Sequence, residues 1–246
     1  MVWRVEHFEE IDSTNSYLKQ RAVGGGPEGL VALADFQTAG RGRLDRTWIA
    51  PPRSSLLCSV LLRPSLDVDE LQLVVAAVAL ATRHAIERLC GLRAQLKWPN
   101  DLIVGNRKLG GVLAEIVITP NGYDVIVGLG LNLTFDGPED VEATSVRAET
   151  GVTLVPRGLL DIVLEELEAR REQLDSAEGR DALRAEYERA LATIGSDVRI
   201  ELHDSTLEGR AYGVDSAGRL LVEVGGEMRV FGVGDVVHLR TKEVHS

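Results

Sequence analysis

The chain has 246 residues, 44% hydrophobic and 26% charged, an ordinary globular composition with a core that needs no staples. Its net charge of −11 argues against a general nucleic-acid binder, which wants a basic face for phosphates. Cys58 and Cys90 lie among apolar residues without metal-ligand spacing, so they read as free buried thiols in a reducing compartment.

Residues 1–6 have neither a basic n-region nor an apolar core. The most hydrophobic window, 71–81, is too short to span a bilayer, so a cytoplasmic protein with no membrane partner is expected. Asp12-Ser13-Thr14-Asn15 offers N-caps for a short helix that Gly24-Gly25-Gly26-Pro27 stops. Strands are predicted over 30–36 and 54–62, then one long buried helix over 67–90 with Gly91 just past its end. Further strands are predicted at 94–96, 102–104, 112–118 and 123–131, the last two joined by the hairpin signal Thr119-Pro120-Asn121-Gly122. Residues 159–174 and 182–194 read as amphipathic helices, with Glu166 and Arg170 a supporting charge pair. Gly195 marks a change of character. Alternating segments at 198–202, 207–212, 220–224, 228–231 and 236–239 predict a small barrel of about five strands.

Only four lysines occur against twenty-three arginines, and Lys97 and Lys108 frame one polar segment. In a chain so biased, a lysine suggests a compact point charge where a planar guanidinium would be the wrong shape. Gln37-Thr38-Ala39-Gly40-Arg41-Gly42-Arg43 opens a stretch, 41–53, holding four arginines and one acid. Glycines between arginines let backbone N–H groups approach an anion that the guanidinium forks grip. A mobile basic surface loop would share this composition. In Lys97-Trp98-Pro99-Asn100-Asp101, proline fixes an extended turn, and Asn100 and Asp101 offer oxygens of the kind magnesium accepts beside substrate phosphates. An Asx turn into a strand is the plainer reading of the same residues. Gly128-Leu129-Gly130-Leu131-Asn132 ends an apolar strand, and its alternating glycines suggest close approach of a ligand or another backbone.

These blocks, together with Arg107-Lys108-Leu109-Gly110-Gly111-Val112-Leu113, occur in an order that resembles the biotin protein ligases along the whole chain. The resemblance implies an α+β fold: a mixed or antiparallel sheet with helices over 1–193, then an SH3-like β-barrel over 194–246. It implies ATP-dependent activation of biotin to biotinyl-5′-AMP, with magnesium, and transfer to a lysine of a biotin carboxyl carrier domain. Ser13, Thr14 and Asn15 would line the ureido site with Gln37 nearby. Gly40, Arg41, Gly42 and Arg43 would close over carboxylate and phosphate, hinged by the glycine of the 41–43 segment. Lys108 would neutralise the charge developing between them, with Asp101 and Asn100 near the metal. Gly111, Leu113, Gly128, Gly130 and Asn132 would shape the floor and adenine side, and Trp48 would cover the pocket. Lys108, Arg41 and Arg43 are thus the expected catalytic groups.

Two departures stand out. Asp45 occupies a loop position where the family commonly has glycine, and its charge could weaken anion binding or position an arginine. The sequence also starts almost at the first helix, so no winged helix-turn-helix and no DNA partner are expected; monomer or homodimer both stay open. A lipoate ligase of the same fold and a non-catalytic biotin or adenylate sensor are the competing readings.

Overall fold

The computed structural model describes residues 2–120, 122–202, 204–232 and 234–239. Strand β1, Arg4–Phe8, pairs in parallel with β2, Leu30–Ala34, through the crossover helix α1, Thr14–Val23. Ser13 caps α1, its hydroxyl accepting from Ser16 N at 3.4 Å, which satisfies one of the free N–H groups of the first turn. Strand β3, Ser55–Leu62, runs antiparallel to β2 and is buried along its length. A 3-10 turn at Val68–Glu70 leads into α2, Gln72–Cys90, which Gly91 ends at φ 72. Strands β4 (Gln95–Lys97), β5 (Asp101–Val104), β6 (Arg107–Thr119) and β7 (Gly122–Asn132) complete a seven-stranded sheet of order β1-β2-β3-β7-β6-β5-β4. All of its pairings except β1 with β2 are antiparallel.

Helices α3 (Val146–Thr150), α4 (Pro156–Gln173) and α5 (Ala177–Ala190) follow. Both α4 and α5 pack on α2, and α2 in turn packs on the sheet. That sandwiching explains why α2 is apolar nearly all round, with residues from Leu73 through Thr82 buried without a break. Strands β8 (Asp197–Glu201), β9 (Thr206–Val214), β10 (Leu220–Val224), β11 (Glu227–Phe231) and β12 (Asp235–His238) form a second, antiparallel sheet of order β11-β10-β9-β8-β12. It has the five strands expected of the C-terminal part. Arg240, residues 241–246 and Asn121 of the expected hairpin turn lie outside the described residues.

Five elements differ from expectation. Helix α2 starts at Gln72 and not 67, with the 3-10 turn Val68–Glu70 ahead of it. Strand β1 and helix α3 had no predicted counterpart. Strand β6 begins at Arg107, five residues before the predicted start at 112. Helix α5 runs over Ala177–Ala190 and not 182–194, because Ser176 caps it by accepting from Gly179 N at 3.1 Å. Past Ala190 the chain leaves the helix, and Leu191 bridges to Leu96 beside β4. No helix among the described residues is long and apolar enough to cross a membrane.

Candidate active site

On the paired strands β6 and β7, Gly111 opposes Gly130 and Leu113 opposes Gly128. Each β7 glycine gives its side-chain space to a residue from elsewhere. A Cβ at Gly128 would lie 2.3 Å from Asn15 Oδ1, and one at Gly130 would lie 2.6 Å from the Trp48 ring. The expectation at these glycines is a ligand or another backbone; the space is taken instead by side chains, an asparagine from α1 and an indole from the arginine loop.

Asn15 is buried and fully engaged. Its Oδ1 accepts from Ser59 Oγ at 2.5 Å, and its Nδ2 donates to Glu115 Oε2 at 2.8 Å. Ser59 also lies 2.7 Å from Thr14 Oγ1, and Gln37 Oε1 accepts from both the backbone and hydroxyl of Thr14 at 2.8 and 3.0 Å. The 13–15 segment and Gln37 thus form one polar network at the head of α1. Burial alone would raise the Glu115 carboxyl, but hydrogen bonds from Lys19 and Asn15 and the charges of Lys19 and Arg41 hold it below its ordinary value.

Residues 40–48 fold back on themselves. Trp48 N donates to Gly40 O at 3.0 Å and Gly42 N to Arg46 O at 2.7 Å. Gly40 has no room for a side chain, since a Cβ would meet Trp48 O at 2.4 Å. Asp45 takes the left-handed backbone (φ 57) that its place in a glycine position demanded, and Leu44 joins it at φ 53. Arg43 and Arg46 share the carboxylate of Asp235, from the second sheet, while Arg41 pairs with Glu115 on β6 at 3.1 Å. Arg43 Nη1 lies 3.4 Å from Asp235 Oδ1, and Arg46 also pairs with Asp235. Arg43 reaches Asn100 Oδ1 and Gly234 O as well, but its contacts are all long, at 3.3 to 3.5 Å, so the guanidinium is held loosely between the two sheets.

Lys108 Nζ stands 2.6 Å from Asp101 Oδ1 and 5.9 Å from the centre of the Trp48 ring. The lysine and aspartate meet as an ion pair without hydrogen-bond alignment, for Asp101 Oδ1 has no aligned donor among the described residues. Local strand geometry brings them together: β5 and β6 slip register at Leu102/Ile103, so Asp101 opposes Gly111 while Ile103 opposes Lys108. Gly111 keeps the space clear. A Cβ there would touch Asp101 Oδ1 at 3.4 Å and Lys108 Nζ at 3.5 Å. Asn100 is fixed by Nδ2 donating to Val112 O at 2.9 Å, and its Oδ1 faces the Arg43 cation. Trp98 points inward: its indole N–H donates to Gly218 O at 3.2 Å and its backbone N to Thr193 Oγ1 at 3.0 Å. The Trp98–Pro99 peptide is cis.

A cavity of about 490 Å³ unites these parts. Every residue assigned to the site from the sequence lines it except Gly40, and Lys97 lines it too; Asp45 does not. Asn132, held by Nδ2 donating to Thr144 O at 3.0 Å, lines the far end of the floor. Glu201, Asp235, Val236 and Val237 give the second sheet one wall. The indole N–H of Trp48 is buried without a partner among the described residues, a donor in want of an acceptor. For a divalent cation, no group of three or more His, Cys, Asp or Glu side chains is assembled among the described residues. A magnesium carried on phosphate oxygens needs only one or two carboxylates, and Asp101 suits that, with Lys108 already at its Oδ1; Asn100 Oδ1 likewise faces the Arg43 cation. Ser59, Glu115, Lys19 and Asp235 are partners the sequence reading missed. Ser59, Glu115 and Asp235 come from other strands and Lys19 from the same helix as Asn15, and no local motif marks them.

Comparison with known proteins shows that the mixed sheet bearing this cavity is that of a ligase. Residues 7–132 match the biotin/lipoate A/B protein ligase family, to which the chain belongs, and residues 193–239 match the biotin protein ligase C-terminal domain. The biotin–[acetyl-CoA-carboxylase] ligase of Mycobacterium tuberculosis is 38% identical over 97% of this chain and 90% of its own. The bifunctional ligase/repressor BirA of Escherichia coli is 30% identical over 95% of this chain and 73% of its own. Among solved structures, the biotin protein ligase of Aquifex aeolicus in complex with biotin and ATP superposes with a TM-score of 0.83 at 27% identity, covering 97% of this chain and 99% of that one.

Proposed function

We propose that this chain joins biotin to ATP as biotinyl-5′-AMP and passes the biotinyl group to one lysine of a biotin carboxyl carrier domain. The observation that carries the reading is one cavity that holds Lys108 beside the Trp48 indole together with Arg43 and the Asn15 network. Attack by a biotin carboxylate oxygen on the α-phosphorus forms a P–O bond and breaks the bond to pyrophosphate. Two anions must approach, so preorganised positive charge is the largest catalytic contribution the site can make. Lys108 supplies a point charge between carboxylate and α-phosphate, and Arg43, only loosely held, is free to turn onto the phosphate. Arg41 and Gly42 close the loop above, with Gly40 as its pivot. Magnesium on Asp101 would neutralise phosphate charge.

Ser13, Thr14, Asn15 and Gln37 are assigned to the ureido ring, whose carbonyl and N–H groups need both donors and acceptors. Leu113, Gly128 and Gly130 form the floor, Gly111 the space beside the reacting groups, and Asn132 the adenine end; Trp48 covers them. In transfer, the acceptor lysine nitrogen attacks the acyl carbon, a C–N bond forms, the C–O bond to AMP breaks, and the amine proton leaves to solvent. We divide the chain at 193–194 into catalytic and C-terminal units, which the change from helix α5 to strand β8 supports. Free Cys58 and Cys90 support a reducing, cytoplasmic setting.

The test is mass spectrometry of the protein incubated with biotin and Mg-ATP, then with an apo carrier domain. Bound biotinyl-5′-AMP followed by one biotin on a single carrier lysine is expected. Both products with lipoate and neither with biotin would overturn the reading, and no product with either would point to a sensor.

A further inference from the structure

Resting on the proposed biotin site, we infer that Glu115 is a positioning residue for it, setting the amide of Asn15 and the guanidinium of Arg41 without lining the cavity itself. Glu115 lies on β6, two residues past Leu113, and its side chain is 15% exposed. Three groups converge on it: Asn15 Nδ2 at 2.8 Å, Arg41 Nη2 at 3.1 Å and Lys19 Nζ at 2.5 Å. Two of these belong to the site and come from opposite sides of it, one from α1 and one from the arginine loop.

The carboxylate decides which way the Asn15 amide faces. An acceptor-only group at 2.8 Å requires the NH₂ there, which leaves Oδ1 for the Ser59 hydroxyl. The same charge draws Arg41 to the side of the loop away from Arg43, so the two loop guanidiniums are separated between Glu115 and Asp235. The alternative is that Glu115 only staples α1 to β6 through Lys19. The two roles part company when Lys19 is removed, for the staple is lost while the contacts to Asn15 and Arg41 remain.

Biotin binding is to be measured by calorimetry without nucleotide on the full chain, on Glu115→Gln and on Lys19→Met, with the thermal midpoint of each. Losing one charge-assisted contact to the Asn15 amide should weaken biotin about tenfold in Glu115→Gln. Lys19→Met should bind biotin within about twofold of the parent. Equal weakening in both variants would make Glu115 a staple and overturn the inference, as would unchanged affinity in Glu115→Gln. A Glu115→Gln protein that fails to fold while Lys19→Met binds normally would also overturn it, since the role would then be structural. No biotin binding by the parent itself would instead sink the biotin site, and the inference with it.

Discussion

Gly128 is where Asn15 enters the sheet: the Cβ of any other residue there would stand 2.3 Å from Asn15 Oδ1. Asn15 is buried and bonded at both ends of its amide, so it cannot step aside without breaking contacts to Ser59 or Glu115. Gly128→Ala should therefore cost about 1–3 kcal/mol of stability, as overpacking of a filled site does. It should also weaken biotin by more than tenfold. A calorimetric titration beside a thermal melt checks both, and unchanged biotin affinity would remove Asn15 from the ureido site.

Lys108→Ala separates chemistry from folding. The ion pair with Asp101 is part-exposed, 33% and 23% at the two side chains, so its loss should change stability by no more than about 1 kcal/mol. Adenylate formation should fall by about 10²–10³ or more, the usual effect of deleting one preorganised charge. Pyrophosphate release measured at saturating ATP decides it. Turnover like the parent's would sink the role given to Lys108.

Arg43→Gly removes a side chain that touches Asn100 on one side and Gly234 and Asp235 on the other. The loop would lose a tie to the second sheet as well as a charge over the phosphate. Bound adenylate should escape about tenfold faster or more, since a retaining loop acts by excluding water and blocking exit. A stopped-flow chase of preformed adenylate with excess biotin gives the rate. An unaltered rate would mean the loop does not retain product.

Much of this site was legible along the chain because its blocks are local: a cap at the head of a helix, arginines spaced by glycines, a proline turn before two polar residues. What joins the blocks was not. Glu115 and Asn15 are 100 residues apart, and Arg43 and Asp235 are 192 apart. Nothing in the composition around Glu115 or Asp235 separates them from solvated carboxylates. Among the elements, β1 escaped because Arg-Val-Glu-His-Phe is a part-exposed edge strand with no fully buried residue to mark a period. Helix α5 was displaced because the first buried residue of its apolar face is Leu183, well after the true start at Ala177. The start at Ser176 was written in cap chemistry alone.

Cys58 offers an alkaline prediction. It is fully buried on β3 against the cavity floor, and burial pushes its thiol from 9.0 up to about 12. A group whose folded value is raised gives its full contribution below the unfolded value and loses it as pH rises. Stability should therefore decline from about pH 9 towards 12 as the unfolded thiol ionises first. Urea unfolding across that range, compared with Cys58→Ala, isolates the contribution; identical slopes in both proteins would refute it. At pH 8, alkylation of the native protein should mark Cys90 and spare Cys58.

The inward-turned Trp98 has a practical reach beyond catalysis. Its indole N–H ends on Gly218, in the turn before β10, and its backbone N–H ends on Thr193, the last residue before the change of fold. Thr193 Oγ1 also meets His238 Nε2 at 3.1 Å, near the end of β12. Anyone grafting a relative's C-terminal sheet onto this catalytic half would cut through that three-way joint if the splice were set at 193–194. Hybrids should assemble well only when Thr193, the 215–219 turn and the strand bearing His238 travel as one cassette matched to the Trp-Pro turn. The interchangeable unit of this ligase is thus defined by where a tryptophan's two N–H groups end, and it is larger than the second sheet.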